Sequence, residues 1–158
     1  MRSVGHVSTA SYLMRTPDLE ALLVDARRLN NRYGITGVLL HSGGNFMQCF
    51  EGPEPAVEET YARIRASRRH KNLIELLNER VRARSFGALD MGRAEPTPSK
   101  LLALSTARWT SQAVTGTDQQ FKSPGFELLL EFWRGMQRNA VVQATATKPT
   151  ARRLKAGA

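Results

Sequence analysis

The chain contains one cysteine, Cys49. That excludes an intramolecular disulfide and any metal site built from several thiolates. No apolar run approaches the roughly 20 residues that a membrane-spanning helix needs. The first residues lack the basic-then-apolar layout of a secretory signal. No glycine-rich phosphate loop is present, since Gly43-Gly44 lies between strand-like residues and reads as a hairpin turn. The histidines His6, His41 and His70 fall on separate expected elements with no pair at metal spacing, so no metal site is expected. Acidic residues are scattered, and no nucleophile and base can be paired. The expectation from these absences is a reduced, cytoplasmic protein without enzymatic activity.

Acid is scarce as well, with 14 Asp and Glu against 23 Lys and Arg, a net charge of +9 over 158 residues. Such an excess raises nucleic acid or an anionic surface as a partner. Four of the 23 basic residues (Lys148, Arg152, Arg153 and Lys155) sit in the last stretch, Ala140 to Ala158, leaving 19 against 14 in the body. That stretch has no acid, no aromatic and little periodicity, and it reads as a disordered basic tail. The densest basic run of the body is Arg63 to Lys71, RIRASRRHK. It fits either a solvated helix end, where cations complement the dipole, or a phosphate contact.

Hydrophobic periodicity places the elements. Ser3 to Ala10 alternates like a strand. Thr16-Pro17-Asp18 reads as a helix start with Thr16 at the N-cap, and Leu19, Leu22, Leu23, Ala26 and Tyr33 form the inner stripe, which includes Asn30. Gly34 suits the stop. Ile35 to His41 and Asn45 to Glu51 form a hairpin around Gly43-Gly44, and in the second strand Phe46, Gln48 and Phe50 share one face. A second helix follows Gly52-Pro53-Glu54-Pro55, with Val57, Thr60, Tyr61 and Ile64 inward. A fourth strand is expected within Leu73 to Phe86, where Arg80, Arg82 and Arg84 alternate against Val81 and Ala83, and a fifth over Ala88 to Arg93. The order is α+β, a ferredoxin-like β-α-β-β-α-β-β sheet with two helices on one face. Two more helices follow, from Pro98 to Ala107 and from Ser123-Pro124, the latter presenting Phe126, Leu129, Leu130, Trp133 and Met136. Their apolar sides would dock on the open sheet face or on a second subunit. The expected domains are 1–95, a helical extension 96–139 and the tail 140–158.

Two amides stand out, Asn30 on the inner face of the first helix and Gln48 between two phenylalanines. A buried amide left without partners costs about 1–3 kcal/mol. Either both bond to backbone at the sheet end, or they face a ligand edge that alternates donors and acceptors. The imide edge of a flavin or a pyrimidine is such an edge.

Asn30-x-x-x-Gly34-Ile35-Thr36-Gly37-Val38-Leu39-Leu40, followed by Phe46-x-Gln48-x-x-Glu51-Gly52, resembles the core of the BLUF family, bacterial sensors of blue light using FAD. The resemblance continues through Arg63-Ile64, Arg69-His70 and Arg84-x-Phe86 to Met91-Gly92, and covers about residues 3 to 93. It implies the ferredoxin-like fold, with FAD between the two helices on the sheet. It also implies that Asn30, Gln48, Phe46, Arg63 and His70 bind the cofactor, Asn30 at a ring carbonyl and Gln48 at the N5 and O4 edge. In that family, light drives electron and proton transfer from a first-strand tyrosine to the flavin. The glutamine amide then rearranges, and the change reaches the last strand through a Trp and Met pair.

This chain departs from that pattern. The tyrosine position is His6, the tryptophan position is Leu89 although Met91 is kept, and the aspartate before the Arg-His pair is Ser67. Imidazole is a much poorer one-electron donor than phenol, so the usual photochemical trigger is expected to be missing, while His6 can still bond Gln48. The resemblance implies a sensory domain that acts through its C-terminal helices on a downstream protein or a sister subunit, with a homo-oligomer expected. The alternatives are a light-insensitive regulatory module of the same fold, or a ferredoxin-like domain that binds nucleic acid. Nucleic-acid binding is not expected of the body and should vanish with the tail.

Overall fold

The computed structural model describes residues 1–110 and 122–146, with side chains to residue 140. The elements are β1 (Arg2–Ala10), α1 (Thr16–Tyr33), β2 (Thr36–Ser42), β3 (Asn45–Gly52), α2 (Glu54–Ala66), β4 (His70–Arg80), β5 (Gly92–Ala94), α3 (Pro98–Thr106) and α4 (Pro124–Ala146). They build one mixed five-stranded sheet in the order β4-β1-β3-β2-β5. The first four strands pair antiparallel, and β5 adds parallel to β2. This is the expected ferredoxin-like arrangement with one added strand.

The local chemistry explains most boundaries and three departures. Gly43 and Gly44 both adopt positive φ, 55° and 79°, the tight turn that joins β2 to β3. Helix α1 starts one residue earlier than the Thr16 cap predicts. The Arg15 backbone N–H donates to the Asp18 carboxylate at 2.9 Å, which makes Arg15 the capping residue. Strand β4 begins at His70 and Lys71, which pair with Ala10 and Thr9, and it stops at Arg80. The strand expected to run on through Arg82 and Arg84 does not form: the ladder with β1 ends at Arg80 opposite Arg2, followed by one bond from the Val81 N–H to the Met1 carbonyl. Arg84 instead turns back and donates to Thr36 Oγ1, the Glu51 carbonyl and the Gly34 carbonyl. Strand β5 is shorter than Ala88 to Arg93 and leaves Leu89 and Met91 outside it.

Side-chain alternation divides the sheet into two faces. On one, Val4 and Phe50 pack against Val57 and Tyr61 of α2, and Leu39, Phe46 and Met91 pack against Leu19 and Leu23 of α1. On the other, Val38, Leu40, Met47, Cys49 and Leu77 receive α3 and α4 through Leu101, Leu104, Phe126, Leu129, Leu130 and Trp133. The C-terminal helices therefore cover the open face of their own sheet, and Met136 alone of the expected α4 stripe stays exposed. Helix α4 continues to Ala146, into the segment expected as a tail, and residues 147–158 of that segment lie outside the described residues.

Candidate functional site

Between α1 and α2, above the sheet, lies a cleft of about 230 Å³. Its floor follows from strand register. His6 is directly opposite Gln48 and Ser8 opposite Phe46 on the neighbouring strand, and alternation turns all four toward the helices. Leu22, Ala26, Leu29 and Asn30 of α1 form one wall, and Thr60, Arg63 and Ile64 of α2 the other. His70 and Arg69, where β4 begins, close one end.

His6 is 1% exposed, and its Nε2 lies 3.1 Å from Gln48 Oε1. With that amide oxygen facing the ring, the donor is Nε2–H, the tautomer that carries the imidazole proton on Nε2. Burial lowers the His6 pKa to about 4, against the opposing pull of the Gln48 bond and with a small further lowering from His70. The ring is therefore neutral at neutral pH. Its Nδ1 is buried and makes no hydrogen bond among the described residues. Tyr61, His70 and Phe50 surround it at ring-centroid distances of 6.0, 6.2 and 6.4 Å. The Tyr61 phenol is raised to about 12 by burial and by the Glu75 carboxylate. The His70 pKa is lowered by burial, and its Nδ1 lies 3.1 Å from Ser8 Oγ.

The two amides take different partners. Asn30, 4% exposed, donates from Nδ2 to the Asp90 carbonyl at 2.6 Å. One turn before it, Arg27 Nε donates to the Met91 carbonyl at 3.0 Å. Helix α1 thus fastens the segment ahead of β5 by three side chains, since Asn31 Nδ2 also donates to the Asp90 carboxylate at 3.3 Å. Asn30 uses backbone, as one of the two alternatives held, whereas Gln48 uses the His6 side chain; both line the cleft. Arg63 stands at the cleft with Nη2 donating to Thr60 Oγ1 at 3.0 Å and its guanidinium 5.5 Å from the Tyr33 ring centre.

The remaining expected positions separate. Phe46 is buried in the cleft floor. Met91 packs beside it with Leu39. Leu89 does not join them. It packs toward the core shared with α3 and α4, and its carbonyl accepts from the Gly37 N–H at 2.9 Å. Ser67 and Arg69 line the cleft, as do Ser8, Met14 and Asp25, to which no role was attached from the sequence. Ser8 carried a readable signal, being two residues beyond His6 on the same strand face. Met14 precedes α1 and had none. No group of three or more His, Cys, Asp or Glu among the described residues is placed to hold a metal ion, and no described helix is long and apolar enough to cross a membrane.

The donor set suits a flat heteroaromatic ligand with a charged extension. Aliphatic walls take the ring faces, the Asn30 and Gln48 amides meet polar edges, and Arg63, Arg69 and His70 offer cationic or donor groups to phosphate. A flavin dinucleotide has those three parts.

A family model described as sensors of blue-light using FAD (BLUF) matches residues 1–92. Over 85 residues the chain is 39% identical to the photoactivated adenylate cyclase subunit beta of Euglena gracilis, covering 51% of this chain and 10% of that protein. Over 73 residues it is 40% identical to the blue light- and temperature-regulated antirepressor BluF of Escherichia coli K12, covering 46% and 18%. The chain thus spans under a fifth of the length of either relative. The dark-state structure of the BLUF protein BlrB superposes with a TM-score of 0.57 at 31% identity, over 66% of this chain and 77% of that one. A bacterial light-regulated adenylyl cyclase shares the fold over 91% of this chain and 36% of its own, with a TM-score of 0.58 at 19% identity.

Proposed function

The chain belongs to the BLUF family, and on that premise we propose that it is a non-catalytic sensory module that holds FAD between α1 and α2. The module passes the state of that site through the sheet to α3 and α4, and from there to a downstream protein. The observation that carries the reading is the convergence of the Asn30 and Gln48 amides, on different elements, in one apolar-walled cleft with Arg63 and His70 beside it. When bound, FAD supplies blue-light absorption and an edge of alternating carbonyl and ring-nitrogen groups. This chain's own residues do the rest: Asn30 and Gln48 orient that edge, Phe46 and Leu39 support the ring, and Arg63, Arg69 and His70 receive the phosphates. The relatives named for photoactivated cyclase and antirepressor activity support regulation of a partner, which for this chain is the proposed output.

The test is the colour of the purified protein. A yellow sample with a flavin spectrum, or one that takes up added FAD, is the expected result. A colourless protein that takes up no FAD overturns the reading. His6 favours a second version of the same module, in which FAD occupancy and not light is the signal. A yellow sample whose spectrum shifts reversibly to the red under blue light excludes that version, and one with no shift supports it.

A further inference from the structure

Neutral imidazole has one N–H, and its position at His6 is fixed by what the other nitrogen meets. Two arrangements would satisfy the 3.1 Å contact between His6 Nε2 and the Gln48 amide. In the first, Nε2–H donates to the Gln48 amide oxygen. In the second, the amide is turned over, its NH₂ donates to a bare Nε2, and the proton sits on Nδ1. Nδ1 is buried and without a partner among the described residues. The second arrangement would therefore bury an unpaired N–H, a donor taken out of water with no acceptor to replace it. The first leaves only a lone pair there. Passing between them requires a proton to travel from Nε2 to Nδ1, and among the described residues no hydrogen-bonding group at Nδ1 relays it. A phenol in this place would behave differently, because one hydroxyl oxygen both donates and accepts and serves either amide orientation by rotating its hydrogen.

We propose that His6 is a positioning residue that pins the Gln48 amide in one orientation, oxygen toward His6 and NH₂ toward the cleft, so that the cleft selects a ligand edge made of acceptors. The inference rests on the flavin reading only in naming that edge as a carbonyl and ring nitrogen. The amide orientation itself is a property of the ligand-free protein. The site then reads a ligand through a fixed donor and does not switch the amide between two states.

The experiment is nitrogen-15 NMR of the full-length, ligand-free protein with labelled histidine side chains. The expected result is one His6 tautomer at neutral pH, protonated at Nε2, with widely separated ring-nitrogen shifts. A signal protonated at Nδ1, or a pair of averaged shifts from exchanging tautomers, overturns the proposal. In Gln48→Glu the carboxylate can only accept, so the Nε2–H form is retained. In Gln48→Leu the acceptor is gone and the His6 shifts move. An unchanged His6 signal in Gln48→Leu would show that the ring does not read the amide and would sink the idea. Failure of the protein to bind added FAD would overturn the flavin reading and leave the tautomer result standing. FAD binding beside an Nδ1-protonated His6 would overturn the positioning role alone.

Discussion

The indole of Trp133 occupies the space in front of Gly92: a Cβ at residue 92 would lie 2.4 Å from Cη2 and 2.5 Å from Cζ2. Gly92 is the first residue of β5 and follows Met91, which packs with Leu39 and Phe46 on the cleft side. Helix α4 therefore seats its buried tryptophan one residue away from Met91, which packs against the cleft-lining Leu39 and Phe46. We expect Gly92→Ala to displace Trp133 and cost about 1–3 kcal/mol, the range for overpacking a well-filled core. Gly5, beside His6, is the control. A Cβ there would meet Leu77 Cβ at 3.4 Å, an ordinary contact, so Gly5→Ala should change stability by no more than about 1 kcal/mol. Urea unfolding of the two variants decides it, and equal losses would contradict the close seat at Gly92.

Stability should fall on mild acidification because of His6. Its pKa is near 4 in the fold and about 6.5 in an unfolded chain, so below 6.5 the unfolded state binds a proton that the fold refuses. The contribution is fully present above pH 6.5 and is lost as pH falls through 4, with a span on the order of 3 kcal/mol. His70, also lowered by burial, acts in the same sense. Glu51, raised by burial, acts oppositely: its contribution is present below the usual carboxylate pKa and lost as pH rises through the raised value. The difference between wild type and His6→Phe isolates the first effect. Urea unfolding at pH 7 and pH 4.5 should show a smaller acid loss in the variant.

Glu51 ties the sheet to the segment under α4. Its Oε1 accepts from the Ser85 N–H at 2.5 Å and the Phe86 N–H at 2.8 Å, and Phe86 meets the Phe126 ring edge-on at 5.9 Å. Glu51→Ala leaves two backbone donors without their acceptor, at about 1–3 kcal/mol each. Glu51→Gln keeps an amide oxygen and should retain most of that stability. Thermal unfolding should rank wild type and Gln close together and Ala far below, and a variant Ala as stable as Gln would remove Glu51 from this role.

Much of this was legible in the residues because periodicity reports which side chains share a face. Alternation put Phe46, Gln48 and Phe50 together, and helical spacing put Asn30 on the inner face of α1. The same rule extended by two residues from His6 reaches Ser8. Leu89 was not legible, because its direction depends on where β5 starts, and that is set by pairing of Gly92–Ala94 with Val38–Leu40. The run of alternating arginines misled because alternation alone does not show where a strand stops: β4 ends at Arg80, and Arg84 folds back onto Thr36, Glu51 and Gly34. The docking of α4 was open between two answers, as an apolar stripe specifies burial but not the surface that provides it.

Asn30 and Arg27 separate binding from scaffolding. Both hold the segment ahead of β5, Asn30 through the Asp90 carbonyl and Arg27 through the Met91 carbonyl, but of the two only Asn30 lines the cleft. We expect Asn30→Ala to weaken FAD binding about tenfold, the loss of roughly one hydrogen bond of 1.4 kcal/mol. Arg27→Ala should lower stability by a comparable amount with little change in FAD affinity. Fluorescence titration of FAD into both variants tests the distinction, and equal effects on affinity would mean that Asn30 acts only through the segment it fastens.

The light response should turn on residue 6. Imidazole is a poor one-electron donor, and a neutral His6 with an unpartnered Nδ1 has a single hydrogen-bonding role toward Gln48. The FAD-loaded wild type is therefore expected to show no reversible red shift under blue light. His6→Tyr returns a phenol to the face opposite Gln48, where it can both donate and accept. The larger ring has to fit among Tyr61, Phe50 and His70, whose centroids surround the imidazole at 6.0 to 6.4 Å, so a stability loss of about 1–3 kcal/mol accompanies the change. Difference absorption spectra before and after illumination, taken on both proteins at equal FAD occupancy, should show a reversible shift in His6→Tyr alone. A shift of equal size in the wild type would mean that the amide is free to rearrange beside histidine, and the pinned orientation of Gln48 would fall with it.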